Sequence, residues 1–185
     1  MIHGLAPLAA ADARVLVLGS FPSVRSLDER RYYAHPRNAF WPIMSELFGL
    51  GEEPDYERRV AALVTTGVAV WDVLHSADRP GSADAAIIAS SQIVNDFEGF
   101  FAAQGRIRHV FFNGAKAEEL YRPLVLTRPA PPGDGLVLRR LPSTSAANAA
   151  LSKAEKLAAW RVVREAVEPT SARRGSGVAA SSPSK

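Results

Sequence analysis

The chain has 185 residues, of which 47% are apolar and 22% charged, a balance typical of one folded domain with its own hydrophobic core. The sequence contains no cysteine, which excludes disulfides, thiolate zinc sites and thiol nucleophiles. The net charge of +3 arises entirely after residue 168, where Arg173, Arg174 and Lys185 have no acid among them. Overall charge is therefore no argument for a nucleic-acid partner.

The N-terminal part of the chain predicts a strand and a helix separated by a long loop. Residues 14–19, RVLVLG, form a continuous apolar run that ends at glycine, as in a buried strand. Residues 19–37 are polar and aromatic and are predicted to form a loop. A helix is predicted to begin at Asn38, because apolar residues recur at helical spacing as far as Phe48 and Gly49 ends the pattern.

The remaining elements alternate between helix and strand. We predict a helix at 56–65, a strand at 67–74, weak helical periodicity over 84–104, a strand at 109–113, a helix ended by Pro123, a strand at 136–140, and a last helix running from a Ser152–Glu155 capping box to Val167. This alternation predicts a single α/β domain over residues 1–168. Its architecture is a three-layer α/β/α sandwich with a central four-stranded, mainly parallel sheet. Residues 169–185 are predicted to be a disordered tail.

Several common functional sites are missing from the sequence. It has no GxxxxGK[ST] or GxGxxG phosphate-binding motif, no HxxxH pair and no GxSxG elbow. We therefore expect no nucleotide cofactor, no other cofactor and no metal. The N-terminus lacks a basic region followed by a long apolar run, and no apolar stretch is long enough to span a bilayer. We expect a cytoplasmic protein without a membrane segment.

Two loops carry the residues best suited to chemistry: the first loop, residues 19–37, and the lip loop, residues 141–148. Both leave the carboxyl end of a predicted strand, so they should face each other across one edge of the sheet. Hydroxyls suited to phosphate contacts are Ser20, Ser23 and Ser26 in the first loop and Ser143, Thr144 and Ser145 in the lip loop. Aromatic side chains suited to base stacking are Phe21, Tyr32 and Tyr33. Electrostatic affinity would come from Arg25, Arg30, Arg31, Arg37, Arg139 and Arg140.

Six segments, in order, carry a family resemblance: GSFPSVRS, YYAHPRNAFW, WDVL, NDFEGFF, FFNGAKAEEL and LPSTSAANAALSKAEKLAAW. Over residues 14–164 the chain resembles the uracil-DNA glycosylase superfamily, and most of all its hypoxanthine-DNA (deoxyinosine) glycosylase branch. The resemblance implies a monofunctional base excision repair enzyme. Such an enzyme flips a deaminated base out of DNA, hydrolyses its N-glycosidic bond with water and leaves an abasic site.

The resemblance also implies roles for individual residues. Most branches carry Asp or Asn within the first motif, but here that position is Phe21, which cannot orient water. In the branch resembled, the catalytic group is the Asn of the PRNAFW segment, which is Asn38. Tyr33 corresponds to an aromatic that stacks on the base, and Asp72 lies near a strand-end polar group that reads the base. A strand-end Asn113 is a further candidate for base contact.

Each of these residues also has a purely structural interpretation. Asn38 is a good helix N-cap, Phe21 and Tyr33 could cover the edge of the core, and Asp72 and Asn113 could cap turns. The lip loop departs from uracil-directed relatives, since Leu141 stands in place of a histidine and Ser145 in place of the intercalating leucine.

Two alternatives to hypoxanthine excision therefore stay open: removal of uracil, xanthine or a mismatched base, and lesion binding without turnover. A lyase step has no candidate nucleophile, because Lys116, Lys153 and Lys156 fall on predicted helices outside both loops. The resemblance further implies that the protein acts on DNA as a monomer, associated with the nucleoid when bound to it.

Overall fold

A computed structural model describes residues 1–51, 55–81, 83–127 and 135–168. The strands are β1 (Ile2–His3), β2 (Val15–Gly19), β3 (Val68–Asp72), β4 (Leu74–Ala77), β5 (Ile93–Val94), β6 (His109–Asn113) and β7 (Val137–Leu141). The helices are α1 (Val24–Glu29), α2 (Phe40–Phe48), α3 (Tyr56–Thr65), α4 (Phe97–Ala103), α5 (Ala115–Tyr121) and α6 (Lys153–Val167). The predicted disordered tail, 169–185, lies outside the described residues.

The central sheet has four parallel strands in the order β3-β2-β6-β7. Every residue of β2 and β3 is buried, which requires cover on both faces and explains their uninterrupted apolar sequences. The predicted α/β fold with a four-stranded parallel sheet flanked by helices is confirmed. The chain winds outward in opposite directions from β2 and β6, so the gap beyond their carboxyl ends is the usual ligand position in such sheets.

A second, antiparallel sheet in the order β1-β4-β5 was not predicted. The predicted strand 67–74 is two strands, since the ladder with β2 ends at Asp72 and β4 begins at Leu74. The weak helical pattern over 84–104 resolves into two 3₁₀ turns (Asp84–Ala86 and Ala89–Ser91), β5 and α4. The small sheet depends on long-range pairing, since β4 pairs with the distant N-terminus (Ile2 with Ala77, His3 with Ser76) and with β5, and local patterns do not reveal such pairing.

Three helix predictions are corrected, one missed helix and two boundaries. The first loop contains α1, capped by the Ser23 side chain. Helix α2 begins at Phe40 rather than Asn38 and has Ala39 as its N-cap residue. Pro123 does not end the helical winding after α5, because the chain continues as a π-helical segment, Arg122–Leu126. Proline is tolerated there since it lies in the first turn of that segment, where no N–H is needed.

Candidate active site

A cleft of about 920 Å³ opens at the carboxyl edge of the central sheet, between the first loop and the lip loop. Gly19, at the end of β2, and Asn113, at the end of β6, form its floor, and a third wall comes from residues 83–85. The volume is in the range of small-molecule pockets and is sufficient for a nucleoside. Predicted site residues that line it are Ser20, Phe21, Ser23, Arg25, Ser26, Tyr33, Arg37, Asn38, Asn113, Ser143, Thr144 and Ser145.

Asn38 lies on the cleft wall immediately before α2. Its side-chain oxygen Oδ1 accepts a hydrogen bond from the Phe40 N–H at 2.9 Å, and its own N–H donates to the His35 carbonyl at 2.8 Å. The next N–H, of Ala39, donates to the Thr144 carbonyl at 2.9 Å. Asn38 is thus held from both sides of the cleft, and its amide nitrogen Nδ2 is the donor that it can offer to a ligand.

Thr144 and Asn113 join the lip loop to the end of β6. Asn113 Nδ2 donates to Thr144 Oγ1 at 2.8 Å, and the Thr144 N–H donates back to Asn113 Oδ1 at 2.8 Å. Thr144 is only 1% exposed. The Thr144 hydroxyl, which was predicted to contact phosphate, is buried and bonded within the protein. The Asn113 amide, predicted to contact the base, is likewise engaged at both of its polar atoms.

Tyr33 projects its hydroxyl toward the floor of the cleft. Its φ of 56° lies in the left-handed region, which is costly for a bulky side chain. This conformation stacks the ring on Phe40, with ring centroids 4.0 Å apart. The hydroxyl is buried beside the Asn113 side chain but does not reach hydrogen-bond geometry with it, and burial raises the pKa of Tyr33 well above its usual value.

Asp72 lies just below this floor rather than on the cleft surface. It is 4% exposed, and its oxygen Oδ2 is buried without a hydrogen-bond partner in the described part of the chain. A Cβ atom on Gly19 would collide with Asp72 Oδ1 and lie 3.5 Å from the Tyr33 hydroxyl, so only glycine allows these groups to approach. Burial raises the pKa of Asp72 to about 7, with a further contribution from Asp84 that Arg79 opposes.

Phe21 forms part of the core edge. The ring is only 6% exposed, and the Arg79 guanidinium lies 5.0 Å from its centroid. Arg79 also donates from Nη2 to the Pro22 carbonyl at 2.6 Å and from Nε to the Gly81 carbonyl at 2.9 Å. The structural interpretation of Phe21 is therefore the one that its contacts favour, with little of the ring left to stack on a base.

The remaining serines and arginines divide into bonded and exposed groups. Ser26, which was predicted to contact phosphate, is 3% exposed, and its hydroxyl contacts Ser23 and the Ala34 N–H. Ser20 donates to Asp84 at 2.8 Å. Arg25 is exposed and paired with Glu29 at 2.6 Å, and Arg37 is also exposed. Ser143 and Ser145 are half-buried on the lip loop.

Comparison with known proteins decides the family. The sequence model of the Uracil DNA glycosylase superfamily matches residues 6–164. The chain belongs to this superfamily. A curated protein of Methanosarcina acetivorans named hypoxanthine DNA glycosylase is 32% identical over 162 residues, covering 87% of this chain and 96% of that protein. One of the same name from Methanosarcina barkeri is 30% identical over 124 residues, covering 66% and 77%.

The fold agrees with a solved member of the superfamily as well. A solution NMR structure of a candidate uracil DNA glycosylase from Methanosarcina acetivorans superimposes with a TM-score of 0.69 at 32% identity, covering 87% of this chain and 97% of that one. The predicted superfamily is confirmed, and the predicted branch agrees with the names of both curated relatives. In this superfamily member no described residues form a group able to hold a metal ion. Within the same residues, no helix is long and apolar enough to cross a membrane.

Three residues around the superfamily cleft escaped sequence reasoning. Asp84 begins the segment 84–104, whose weak helical pattern contains no motif, and Arg79 lies in the loop before it. Lys156, which was set aside as a helix residue outside both loops, is 5% exposed and donates to the carbonyls of Asn148 at 2.7 Å and Ser145 at 3.4 Å. A signal for Lys156 was present, since it precedes Trp160 by four residues on the apolar face of the last helix.

Proposed function

We propose that the protein is a monofunctional DNA glycosylase that removes hypoxanthine from deoxyinosine in DNA and leaves an abasic site, with neither metal nor cofactor. The superfamily membership and the names of the two curated relatives support this activity. The observation that carries it is the position of Asn38, which lines a cleft of nucleoside size and is fixed by bonds to α2 and to the lip loop.

The chemistry needs stabilisation of charge more than a strong nucleophile. As the glycosidic bond breaks, the sugar becomes an oxocarbenium ion and the base leaves with developing negative charge. Because Asn38 Oδ1 already accepts from the Phe40 N–H, the available donor is Nδ2, which suits a hydrogen bond to the departing base. The N-terminus of α2 adds a partial positive charge beside it. One such preorganised donor is typically worth about 2.7–4 kcal/mol of barrier.

Base recognition is assigned to Tyr33 and Asp72. Their buried atoms without partners, the Tyr33 hydroxyl and Asp72 Oδ2, each cost about 1–3 kcal/mol until a ligand satisfies them. A hypoxanthine edge offers the complementary groups, since its O6 accepts a hydrogen bond from the tyrosine and its N1–H donates to an ionised carboxylate. Asn113 then supports the site through Thr144 instead of contacting the base.

Binding of the DNA backbone is assigned to the exposed groups on the rims of the cleft. Arg25 and Arg37 supply charge on the first loop, while Ser23, Ser143 and Ser145 supply hydroxyls near the phosphates. A protein that follows one DNA duplex needs no second copy, so we assign it as a monomer. We place its activity in the cytoplasm, where it would associate with the nucleoid.

Duplex oligonucleotides test the activity directly. Strands with a single deoxyinosine, deoxyuridine or deoxyxanthosine are incubated with the protein and EDTA, and alkali then cleaves any abasic site. We expect cleavage at deoxyinosine and none in a matched deoxyguanosine duplex. Cleavage at deoxyuridine alone would replace hypoxanthine by uracil as the substrate. Tight binding to deoxyinosine DNA without cleavage would instead indicate a lesion-binding protein.

A further inference from the structure

The cleft, whose proposed ligand is polyanionic DNA, is lined in part by the carboxylate of Asp84. Asp84 begins a 3₁₀ turn, Asp84–Ala86, and is exposed. Among the described residues that line the cleft it is the only acid. A negative charge here repels the phosphates of DNA and lowers affinity, so its presence calls for a role other than binding the backbone.

Asp84 is fixed to the end of β2. Its oxygen Oδ1 accepts a hydrogen bond from Ser20 Oγ at 2.8 Å, and Ser20 directly follows Gly19 on the floor of the cleft. Arg79 anchors the chain just before it, because the buried guanidinium bonds to the carbonyls of both Pro22 and Gly81. Two independent attachments thus hold the carboxylate against the first loop, which is the rigidity that a reacting group requires.

The proposed reaction still needs a group that takes a proton from the attacking water. The Asn38 amide oxygen accepts from the Phe40 N–H, and an amide can hold a water but is too weak a base to accept its proton. Phe21 has no polar side-chain atom, and Asp72, which is 4% exposed, is assigned to the base. Asp84 is therefore the carboxylate on the cleft surface that can accept a proton and face a positive sugar. This inference rests on the proposed glycosylase function.

We propose that Asp84 is a catalytic residue that accepts the proton of the attacking water and stabilises the oxocarbenium sugar. The water oxygen forms a bond to C1′ while the bond from C1′ to N9 breaks. The bonding electron pair leaves with the base, which takes a proton from solvent. The water proton passes to the Asp84 carboxylate and then to solvent, and the sugar keeps a 1′-hydroxyl.

The test compares Asp84→Asn with the parent on a deoxyinosine duplex under single-turnover conditions. The substitution keeps the size of the side chain and removes its charge, so we expect the cleavage rate constant to fall by about a hundredfold or more. Binding is measured separately on a duplex with 2′-fluoro-2′-deoxyinosine, which resists cleavage. Because a repulsive charge is lost, affinity should be unchanged or tighter. Asp78→Asn, which removes an exposed acid paired with the N-terminus, should keep the rate within twofold.

Each possible result supports or overturns the role of Asp84. A folded Asp84→Asn protein that cleaves within threefold of the parent overturns it, as does a parallel loss of rate and affinity. Ser20→Ala tests whether Asp84 acts directly, because this variant removes only the hydrogen bond from Ser20. We expect the cleavage rate to fall less than in Asp84→Asn. An equal fall in rate would show that the hydrogen bond, and not the Asp84 carboxylate, is required. Asp84→Glu should recover part of the rate. If the parent protein cleaves none of the modified duplexes, the proposed glycosylase function is wrong. This outcome is distinct from one in which the parent cleaves and Asp84→Asn cleaves equally well, which overturns only the role of Asp84.

Discussion

The two loops that enclose the cleft are built in opposite ways. In the lip loop the polar groups bond to the protein: Thr144 to Asn113, Ser143 Oγ to the Ser145 N–H at 3.2 Å, and Asn148 Nδ2 to the Ser143 carbonyl at 3.1 Å. Lys156 reinforces this loop from below. The first loop leaves Arg25 and Arg37 exposed and holds Tyr33 in a left-handed conformation with an unpaired hydroxyl.

This difference indicates that the two loops have different roles. The bonds within the lip loop fix its shape, so we expect it to hold Asn38 through the bond from the Ala39 N–H to the Thr144 carbonyl. The first loop instead buries a polar atom without a hydrogen-bond partner among the described residues and holds a residue in a strained conformation. A ligand that bonds to this atom removes part of the free-energy cost. Substitutions in the first loop should therefore affect chemistry with little change in stability, whereas substitutions in the lip loop should affect both.

Asn38→Ala should give the largest loss of activity. Removing its amide takes away the donor assigned to the departing base, and we expect the single-turnover rate on deoxyinosine DNA to fall about a hundredfold to a thousandfold. Asn148→Ala is the matched control, since it also lines the cleft but bonds to the Ser143 carbonyl, and it should lose less than about fivefold. An Asn38→Ala protein that folds and retains a third of the parent rate would contradict the assignment.

Thr144→Val should change stability and rate together. Valine keeps the size of the side chain but leaves half-buried Asn113 Nδ2 without its acceptor, so we expect a loss of about 1–3 kcal/mol in the free energy of unfolding. Denaturant unfolding measures it, and Asn38 should also be less well held, which lowers the cleavage rate. Ser145→Ala removes a partly exposed hydroxyl of the same loop and should cost less than about 0.5 kcal/mol. Equal losses in the two variants would show that Thr144 has no special role.

Sequence reasoning predicted the central sheet well because its strands are locally distinctive. The cores of β2, β3 and β6 are short apolar runs bounded by glycine or polar residues, whereas β7 is VLRRL. All four strands lie within one or two residues of their predicted positions. The small sheet escaped because β1 and β5 have two residues each and exist only through pairing with β4. Helix α1 escaped for a similar reason, since a six-residue helix with few apolar side chains gives no periodic signal.

At the site, sequence could identify loops but not the direction of each side chain. Ser143, Thr144 and Ser145 are adjacent and chemically alike, yet only Thr144 is buried. Asn38 was identified through family resemblance, while the bond that occupies its carbonyl oxygen follows from a helix start two residues later than predicted. Asp84 belongs to no motif and reaches the cleft through a chain path that only the folded structure reveals.

Excision should depend on pH through Asp72. Its pKa of about 7 makes the carboxylate mostly ionised at pH 8 and mostly protonated at pH 6. If the ionised form accepts the N1–H of hypoxanthine, the rate should fall about tenfold between these values. Asp72→Asn should flatten this part of the profile, and an unchanged profile would exclude Asp72 from base recognition.

The titration of Asp72 should also make the free energy of unfolding depend on pH. This free energy should fall as pH rises, whereas the excision rate should increase. The folded pKa of Asp72 lies above the unfolded value, so between these pH values the native state holds a proton that the unfolded chain has released. The contribution of protonated Asp72 to the free energy of unfolding is therefore full below about pH 4 and is lost as pH rises to about 7. Unfolding free energies of the parent and Asp72→Asn, measured from pH 4 to 8, should therefore shift in favour of the variant as pH rises. A constant difference would mean that Asp72 titrates alike in both states.

Arg37→Ala should have the smallest effect, and it should appear in binding only. An exposed arginine that neutralises one phosphate releases about one counterion, so its removal should lower the slope of log affinity against log salt concentration by about 1. The control is Arg106→Ala, because Arg106 is exposed just before β6 and therefore lies at the sheet edge opposite the cleft. Fluorescence anisotropy on duplex DNA measures both slopes. Equal slopes for the two variants would mean that charge anywhere on the surface contributes alike, and that the first loop has no favoured place in binding the backbone.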